Sequence, residues 1–346
     1  MKAAFITGVT GQDGSYLAKF LIEKSYDVYG LVRYCSESKH DRINHIDGLK
    51  IVRGDLTDSH RLTTIIREIT NCKYECIEVY NLAAQSHVKV SFEQPEYTAN
   101  VDALGTLRLL EAIRMSGAPT HIFKFYQAGT SEMFGKSPAP QNEKTTFWPR
   151  SPYGVSKVFS YWITRNYRES YNMFACTGIL FNHESERRGA EFVTRKITLG
   201  LSNWLKTGKV VQLGNLAAQR DWGHAEDYVE AMWLMLQQAA PEDLVIGTGH
   251  THSVRDFINE ALNHIPGEFT WRGEGIHEKL VNEHGATVVE INPDFYRPAE
   301  VDLLVADCQR AYEVLNWRPK TTFPLLVKRM IVNDIINLET RGGQGA

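Results

Sequence analysis

A glycine-rich turn near the start of the chain constrains the fold more than any other feature. The turn, Gly8-Val-Thr-Gly11-Gln-Asp-Gly14, stands between an apolar run from Ala3 to Thr7 and a segment, Ser15 to Lys24, with apolar residues at helical spacing. Glycines here allow a tight strand-to-helix turn and let the backbone approach a pyrophosphate at the helix N-terminus, where free N–H groups favour negative charge. The segment therefore predicts a strand–turn–helix unit that binds a dinucleotide.

The first half of the chain goes on alternating strand and helix patterns. Further strands are predicted at Val28 to Val32, Leu49 to Arg53, Cys76 to Tyr80 and His121 to Gln127. Helices are predicted between them, from an N-cap at Asp58 through Ile69 and from about Tyr97 to Ser116. Such alternation is typical of an α/β fold with a Rossmann-type, doubly wound parallel sheet covered by helices on both faces.

The pattern loosens after a helix that ends near Tyr171 and a strand from Ala175 to Phe181. Helices are expected at Val193 to Lys206, Ala225 to Leu236, Val254 to Asn263 and Phe323 to Leu338, with short strands such as Val210 to Leu213 and Leu244 to Ile246. We expect a Rossmann domain over residues 1–180 and a smaller, mixed α/β lobe that binds substrate over residues 181–340. One strand, near Leu244, is expected to return to the main sheet.

Composition excludes several classes of function. The 38 basic and 41 acidic residues give a net charge of −3 without a charged run, so neither nucleic acid nor an anionic membrane is an expected partner. No apolar stretch approaches the roughly 20 residues of a membrane span, and we expect no signal peptide. Five scattered cysteines indicate structural thiols and no metal site, because the pair Cys72 and Cys76 lacks a second ligand pair. We expect a soluble, cytoplasmic protein.

The end of the second predicted strand favours NADP over NAD. An acidic residue there would bind the ribose diol of NAD, whereas this chain has Arg33, which suits the 2′-phosphate of NADP. The alternative is that Arg33 is a solvated surface residue. Asp55 and Leu56 follow the third strand, where they fit a contact with the adenine edge. The small residues from Leu82 to Ser86 follow the fourth strand and offer a surface for the dinucleotide.

A hydroxyl, a carboxylate, a phenol and an ammonium follow the fifth strand. Thr130 and Glu132 lie within Gly129-Thr-Ser-Glu-Met-Phe-Gly135, and Tyr153 and Lys157 form a Tyr-x-x-x-Lys at the start of the next helix. Four-residue spacing places phenol and ammonium on one helical face. The ammonium lowers the phenol pKa, so the phenolate can take an alcohol proton while a cofactor takes hydride. Glu132 is a second base that simple dehydrogenation does not need, so it favours elimination.

These motifs resemble the extended short-chain dehydrogenase/reductase family, whose members act largely on nucleotide-linked sugars. Within that family, segments along nearly the whole chain are similar to the GDP-mannose 4,6-dehydratases. The segments are Gly8 to Tyr16, Phe125 to Glu132, Arg150 to Gly154, Gly178 to Ser185, Arg220 to His224 and Tyr296 to Glu300. The resemblance implies NADP-dependent dehydration of GDP-mannose to GDP-4-keto-6-deoxymannose, with internal hydride transfer from carbon 4 to carbon 6. It also implies a homo-oligomer, either a dimer or a tetramer.

The resemblance assigns roles to individual residues. The implied catalytic residues are Thr130, Glu132, Tyr153 and Lys157, with Tyr153 as the redox base and Glu132 as the acid/base of the elimination. The implied cofactor contacts are Gly8, Val9, Thr10, Gly11, Gln12, Asp13, Gly14, Arg33, Tyr34, Cys35, Ser36, Asp55, Leu56, Leu82, Ala83, Ala84, Gln85, Ser86, Tyr97, Lys157, His183 and Arg188. The implied GDP-sugar contacts are Ser86, Asn182, Val193, Lys196, Arg220, Arg297 and Glu300. No metal is implied.

Two positions depart from the family pattern, and several alternatives stay open. Glu186 stands where the family usually has proline, and we interpret it as a neutral surface change. Tyr34 stands where a second arginine is common, in a loop that reaches a neighbouring subunit in the family. His183 and His224 can be ordinary loop histidines, and Arg220 and Arg297 can be surface ion pairs. The alternative functions are a dehydratase of another GDP-sugar such as a GDP-heptose, a nucleotide-sugar epimerase or reductase, and a redox-sensing NADP-binding module.

Overall fold

A parallel sheet of seven strands forms the centre of the described part of the chain. The computed structural model describes residues 1–34, 40–295 and 303–342. Its strands are β1 (Lys2–Thr7), β2 (Asp27–Val32), β3 (Lys50–Arg53), β4 (Cys76–Asn81), β5 (Phe123–Ala128), β6 (Phe174–Leu180), β7 (Asn182–Glu184), β8 (Val211–Leu213), β9 (Gln219–His224), β10 (Leu244–Ile246), β11 (Thr251–Ser253), β12 (Phe269–Arg272), β13 (Lys279–Asn282), β14 (Thr287–Ile291) and β15 (Leu303–Leu304). Its α-helices are α1 (Gln12–Glu23), α2 (Ser59–Thr70), α3 (Val88–Glu93), α4 (Pro95–Thr98), α5 (Leu104–Arg114), α6 (Pro152–Tyr171), α7 (Val193–Thr207), α8 (Ala225–Gln237), α9 (Val254–Leu262), α10 (Gln309–Leu315) and α11 (Phe323–Gly342).

The strand order of the central sheet is that of a doubly wound Rossmann fold. The order is β3-β2-β1-β4-β5-β6-β10, and each neighbouring pair is parallel. The chain moves outward in one direction from β1 to β3 and then in the other from β4 to β10. Ligands bind outside the carboxyl ends of the strands at such a reversal point. The prediction of this fold class is confirmed, and β10, at Leu244, is the strand expected to return to the sheet.

Helices cover both faces of the sheet because most of its strands bury apolar residues on both sides. One face packs against α1 and α8 through residues such as Leu17 and Met232, which are fully buried. The other face packs against α2 and α5 through residues such as Ile66 and Leu109, also fully buried. The N-cap of α2 is Asp58, whose carboxylate accepts the Arg61 N–H at 2.9 Å, as the sequence predicts.

The helix predicted from about Tyr97 to Ser116 is present, from Pro95 to Arg114, but it contains a π-helical turn that the sequence did not predict. A π-helical turn, Ala99–Ala103, separates α4 from α5. Such a turn spaces hydrogen bonds five residues apart and is frequent at functional sites. Here the hydroxyls of Thr106 and Ser160 donate to the carbonyl of Asp102 at 2.9 and 2.8 Å. These side-chain donors stabilise the π-helical turn, which the spacing of apolar residues in the sequence does not predict.

The later part of the chain adds two small sheets and a second apolar core. One sheet has the order β11-β9-β15 with β7 beside β9, and the other has the order β12-β13-β14-β8. The core between α7, α9 and α11 includes Leu201, Phe257 and Leu326, all fully buried. The sequence did not predict β9, because its buried residues include the polar Arg220 and Asp221. The Asp221 carboxylate accepts N–H groups from Thr248 and Gly249, which explains its burial.

Candidate active site

A cleft of about 860 Å³ lies at the carboxyl ends of the central strands. It is lined by the glycine turn after β1, by the loops after β2 to β6, and by residues of β9 and α7. Both the sheet and the later part of the chain therefore contribute walls to one cleft, at the place where a doubly wound sheet binds its ligand.

The glycine turn leaves no room for side chains. Gly8 has a φ of +72°, and a Cβ there would lie 2.8 Å from the backbone N of Ala83. A Cβ on Gly14 would lie 2.3 Å from the Gly8 carbonyl oxygen, so the first turn of α1 packs directly on the preceding loop. Among the described residues, no side chain caps α1 at its N-cap, Gly11. The free N–H groups of that helix are therefore available to a phosphate.

A half-buried ion pair lies beside this turn. His183 places Nδ1 2.8 Å from the Phe181 carbonyl oxygen and Nε2 2.8 Å from an Asp13 carboxylate oxygen. Since both partners are acceptors, both ring nitrogens carry hydrogen and the imidazole is charged. Burial opposes this charge, but Asp13 outweighs burial and raises the pKa of His183. Burial likewise opposes ionisation of Asp13, yet His183 holds the pKa of that carboxyl below its ordinary value.

The end of the cleft beside β2 and β3 brings together Arg33, Asp55 and Tyr97. The Arg33 guanidinium donates to the Tyr97 hydroxyl at 2.8 Å, and both residues line the cleft. Arg53, which the sequence reasoning missed, donates to the Arg33 carbonyl at 3.1 Å. The Asp55 carboxylate accepts the Thr57 N–H at 2.9 Å, which fixes the loop after β3. This end of the cleft therefore carries a guanidinium that is held by a hydrogen bond to Tyr97.

Tyr153 and Lys157 lie on one face of α6 and are nearly buried. Their exposed fractions are 8% and 3%, and the Lys157 ammonium donates to the Ala128 carbonyl at 3.0 Å. Burial raises the pKa of Tyr153 well above its ordinary range; the negative charge of Asp102 adds to this, and the Thr130 hydroxyl opposes it. Burial also lowers the pKa of Lys157, against the charges of Asp102 and Asp13. The pair is held in a site where neighbouring charges have large effects.

The loop that carries Thr130 and Glu132 packs tightly against the start of α6. The Thr130 hydroxyl accepts the Glu132 N–H at 3.3 Å at the head of a short 3₁₀ turn, Ser131–Met133. A Cβ on Gly154 would lie 2.8 Å from the Glu132 carbonyl oxygen, so only glycine allows this approach. The hydroxyl, carboxylate, phenol and ammonium predicted to act together all line the cleft.

The opposite end of the cleft is cationic. Asn182, Val193, Lys196 and Arg220 line it, as the resemblance implies for a GDP-sugar. The Lys196 ammonium lies 3.5 Å from the centre of the Phe295 ring. Burial lowers the pKa of Lys196, and the nearby positive charge of Lys89 lowers it further.

Most of the predicted site residues meet in this cleft. The exceptions within the described residues are Val9, whose side chain is fully buried in the core, and Tyr34, which is 81% exposed. Cys35, Ser36, Arg297 and Glu300 lie outside the described residues. Sequence reasoning missed other lining residues, which include His87, Lys89, Glu191, Phe192, Asn215, Trp222 and Phe295. They come from helices, a strand and loops, and share no spacing that could identify them.

Glu186 is not the neutral surface position that the sequence suggests. Its side chain is 18% exposed and accepts hydrogen bonds from the Tyr16 hydroxyl at 2.9 Å and from Arg329 at 2.7 Å. The His224 ring, which is fully buried, lies 3.4 Å from the same carboxylate. Burial opposes ionisation, but His224 and Arg329 outweigh it and hold the pKa of Glu186 well below its ordinary value. Glu186 therefore joins α1, the loop before α7 and α11.

The described residues offer neither a metal site nor a membrane-spanning helix. No three His, Cys, Asp or Glu side chains among them are grouped so that they could hold a metal ion. No helix within those residues combines the length and apolar character of a membrane-spanning segment.

Comparison with known proteins gives a consistent family assignment. The family model described as GDP-mannose 4,6 dehydratase matches residues 5–330. The GDP-mannose 4,6 dehydratase of Drosophila melanogaster is 53% identical over 96% of this chain and 86% of its own length. The Homo sapiens protein of the same name is 51% identical over 97% and 92%.

Solved structures with the same fold include nucleotide-sugar enzymes. A Thermus thermophilus UDP-glucose 4-epimerase in complex with NAD gives a TM-score of 0.78 at 24% identity, covering 96% of this chain and 99% of that one. RMD from Pseudomonas aeruginosa, complexed with NADPH, gives a TM-score of 0.73 at 17% identity, covering 97% and 100%. These likenesses show the fold alone. Because the family model and the relatives cover nearly the whole sequence, the chain belongs to the GDP-mannose 4,6-dehydratase family.

Proposed function

We propose that this protein is an enzyme that dehydrates GDP-mannose to GDP-4-keto-6-deoxymannose with NADP as its cofactor. The observation that carries the proposal is the meeting of Thr130, Glu132, Tyr153 and Lys157 in one cleft beside a glycine turn. Membership of the GDP-mannose 4,6-dehydratase family supports the choice of substrate.

A nicotinamide dinucleotide fits the groups at the cleft. The glycine turn is a cradle that any Cβ would fill, and the uncapped start of α1 suits a pyrophosphate. Asp13, His183 and Arg188 would surround the phosphates, and Gln85 and Lys157 would lie toward the nicotinamide. Arg33 would bind the 2′-phosphate that distinguishes NADP from NAD. When bound, the nicotinamide supplies the hydride chemistry, accepting hydride from sugar carbon 4 and returning it to carbon 6.

Tyr153 is proposed to take the proton of the sugar 4-hydroxyl. The phenolate form that this requires is disfavoured by burial and by Asp102, so the positive charge of Lys157 is needed to stabilise it. Thr130 donates a hydrogen bond to the 4-oxygen and stabilises negative charge there. The 4-ketone then acidifies the proton on carbon 5.

Glu132 is proposed to carry out the elimination. Its carboxylate removes the carbon-5 proton and then, as a general acid, returns a proton to the hydroxyl that leaves carbon 6 as water. The resulting enone would be reduced at carbon 6 and would take at carbon 5 the proton that Tyr153 removed from the 4-hydroxyl. Tyr153 and Glu132 are then restored, and the sugar is dehydrated without net oxidation. This second base distinguishes the proposed dehydratase from an epimerase or a reductase on the same fold, neither of which needs it.

The cationic end of the cleft is proposed to bind the GDP moiety. Lys196 and Arg220 would bind the diphosphate, while Asn182 and Val193 would contact the rest of the nucleotide sugar. Ser86 would lie near the sugar. Arg297 and Glu300, which belong to the same predicted set, are outside the described residues. A related GDP-sugar, such as a GDP-heptose, would use the same phosphate contacts and differ only around the sugar.

We further propose that the chain has a Rossmann domain over residues 1–180, a substrate lobe over residues 181–340, and a homo-oligomeric state, either dimer or tetramer. Support for the oligomer comes from the outer face of α6, where Phe159 is 39% exposed and Trp162 is 53% exposed. Light scattering of the wild type and of a Trp162→Glu variant tests this: a monomeric wild type would contradict it.

The direct experiment is turnover with a catalytic amount of NADP. GDP-mannose is incubated with the protein, and mass spectrometry follows the loss of one water per sugar. The proposal predicts complete conversion without accumulation of NADPH, because hydride returns to the sugar. Stoichiometric NADPH would contradict internal redox, and loss of water only from another GDP-sugar would move the substrate assignment to that sugar. Tyr153→Phe is the control, since it removes the first base and should abolish both steps.

A further inference from the structure

A buried carboxylate, that of Asp102, belongs to no role described so far. Asp102 is 1% exposed and lies in the π-helical turn between α4 and α5. One carboxylate oxygen accepts the Gln85 N–H at 2.7 Å, and the other, also buried, has no hydrogen-bond partner among the described residues. A charged group placed in this way costs stability, so its position calls for a functional reason.

The surrounding hydrogen bonds fix Asp102 against the helix that carries the Tyr–Lys pair. Its carbonyl accepts the Ser160 hydroxyl at 2.8 Å, and Ser160 stands one turn beyond Lys157 on α6. Its carboxylate at the same time holds the turn at Gln85, in the loop that follows β4 and lines the cleft. Asp102 therefore connects a predicted cofactor loop with the predicted catalytic helix.

Lys157 needs a negative charge nearby. It is 3% exposed, and its hydrogen-bond acceptor is the neutral Ala128 carbonyl. Two carboxylates act on its ammonium, those of Asp102 and Asp13, and Asp13 is also engaged with His183. The other charges that act on Tyr153 are those of Glu132 and Arg188. Asp102 is thus the carboxylate near Lys157 that is not shared with His183.

We propose that Asp102 is a positioning residue whose carboxylate keeps the buried Lys157 protonated and holds the Gln85 turn against the Tyr153–Lys157 pair. The inference rests on the proposed function, in which Tyr153 transfers a proton with the help of Lys157. It adds a residue that touches neither sugar nor cofactor and acts through Lys157.

The negative charge of Asp102 affects the pH dependence of the reaction, which a purely structural role would not. Removing a negative charge lowers the pKa of every neighbouring titratable group, here both Tyr153 and Lys157. The acid limb of the pH profile reports ionisation of Tyr153, and the alkaline limb reports loss of the Lys157 proton. Both limbs should therefore move to lower pH when Asp102 becomes neutral.

The test is the pH profile of kcat/KM for Asp102→Asn, with GDP-mannose and NADP. The amide keeps the size and the oxygen that accepts the Gln85 N–H. We expect the whole profile to shift by about one pH unit to acid, so that kcat on the alkaline limb falls by up to about tenfold with little change in KM. The control is Asp334→Asn, which removes an equally buried carboxylate on α11 and should leave the profile in place. An unshifted profile for Asp102→Asn would overturn the proposal.

A second readout needs no substrate. In wild-type protein labelled with [6-¹³C]lysine, the Lys157 resonance is assigned by its loss in Lys157→Met. Burial raises the pKa of Asp102 to about 6 even though Lys157 opposes this. The Lys157 resonance should therefore show a step near pH 6, and Asp102→Asn should remove that step. A wild type without the step contradicts the proposal, whereas failure to dehydrate GDP-mannose with the step intact contradicts only the proposed function.

Discussion

Asp102→Asn should stabilise the folded protein at neutral pH while it slows catalysis. Burial raises the pKa of Asp102 from its ordinary 3.8 to about 6. Because the folded-state pKa is raised, ionisation destabilises the fold, and this cost grows as the pH rises from about 4 to 6. Two pKa units correspond to ~3 kcal/mol of lost stability at pH 7.5, where Asp102 is ionised in the folded protein. Neutral asparagine removes this cost, so the free energy of unfolding should gain ~3 kcal/mol at pH 7.5 but only ~1 kcal/mol at pH 4.5.

The difference between the two pH values isolates the charge. The new amide also buries N–H donors where Asp102 has an oxygen without a partner, but that cost is the same at both pH values. The variant should therefore gain ~2 kcal/mol relative to wild type between pH 4.5 and pH 7.5. For a chain of 346 residues this is a relative rise of about 3 °C in the thermal midpoint. Scanning calorimetry of both proteins at both pH values measures it, and an equal effect at the two values would refute the reasoning.

Three other perturbations test the cleft and its support. Arg33→Asp should move cofactor preference from NADP toward NAD in fluorescence titrations, and equal wild-type affinity for both would show that Arg33 does not bind a 2′-phosphate. Gly14→Ala should weaken NADP binding at least tenfold, because its Cβ would lie 2.3 Å from the Gly8 carbonyl; unchanged affinity would contradict the cradle. Glu186→Gln should lower the free energy of unfolding at pH 7 by ~2 kcal/mol, since it removes the charge that binds Arg329. As the folded-state pKa of Glu186 lies below its ordinary 4.5, that loss should shrink as the pH falls below 4.5, and a loss constant with pH would exclude the charge as its cause.

Local patterns predicted the central sheet and much of the cleft. Strands of the parallel sheet are apolar on both faces, so their runs stand out, and each ends in a loop that must lie at the same edge. The glycine turn follows β1 directly, and the Tyr153–Lys157 pair lies in α6, the next α-helix after β5. Their meeting in one cleft follows from topology, and no long-range contact had to be guessed.

The parts that the sequence did not predict depend on contacts between distant residues. The interruption before α5 is stabilised by the Ser160 hydroxyl, which comes from another helix. Strand β9 buries Arg220 and Asp221, and these polar residues break the apolar pattern by which a buried strand is recognised. The importance of Glu186 depends on Arg329, more than a hundred positions away in the chain. In each case a buried polar group is satisfied by a partner that spacing cannot indicate.

The role of Glu132 is the central claim, and a single-turnover measurement on Glu132→Gln tests it most directly. The amide keeps the size of the side chain but cannot accept the carbon-5 proton, and losing a positioned base typically costs ~10²–10⁴ in rate. The first hydride transfer does not need Glu132, so the account predicts reduced cofactor, seen by its near-ultraviolet absorbance, and a 4-keto sugar that keeps its water. Tyr153→Phe, as the control, should show neither. If Glu132→Gln dehydrates GDP-mannose at nearly the wild-type rate, Glu132 is not the base and the account is wrong.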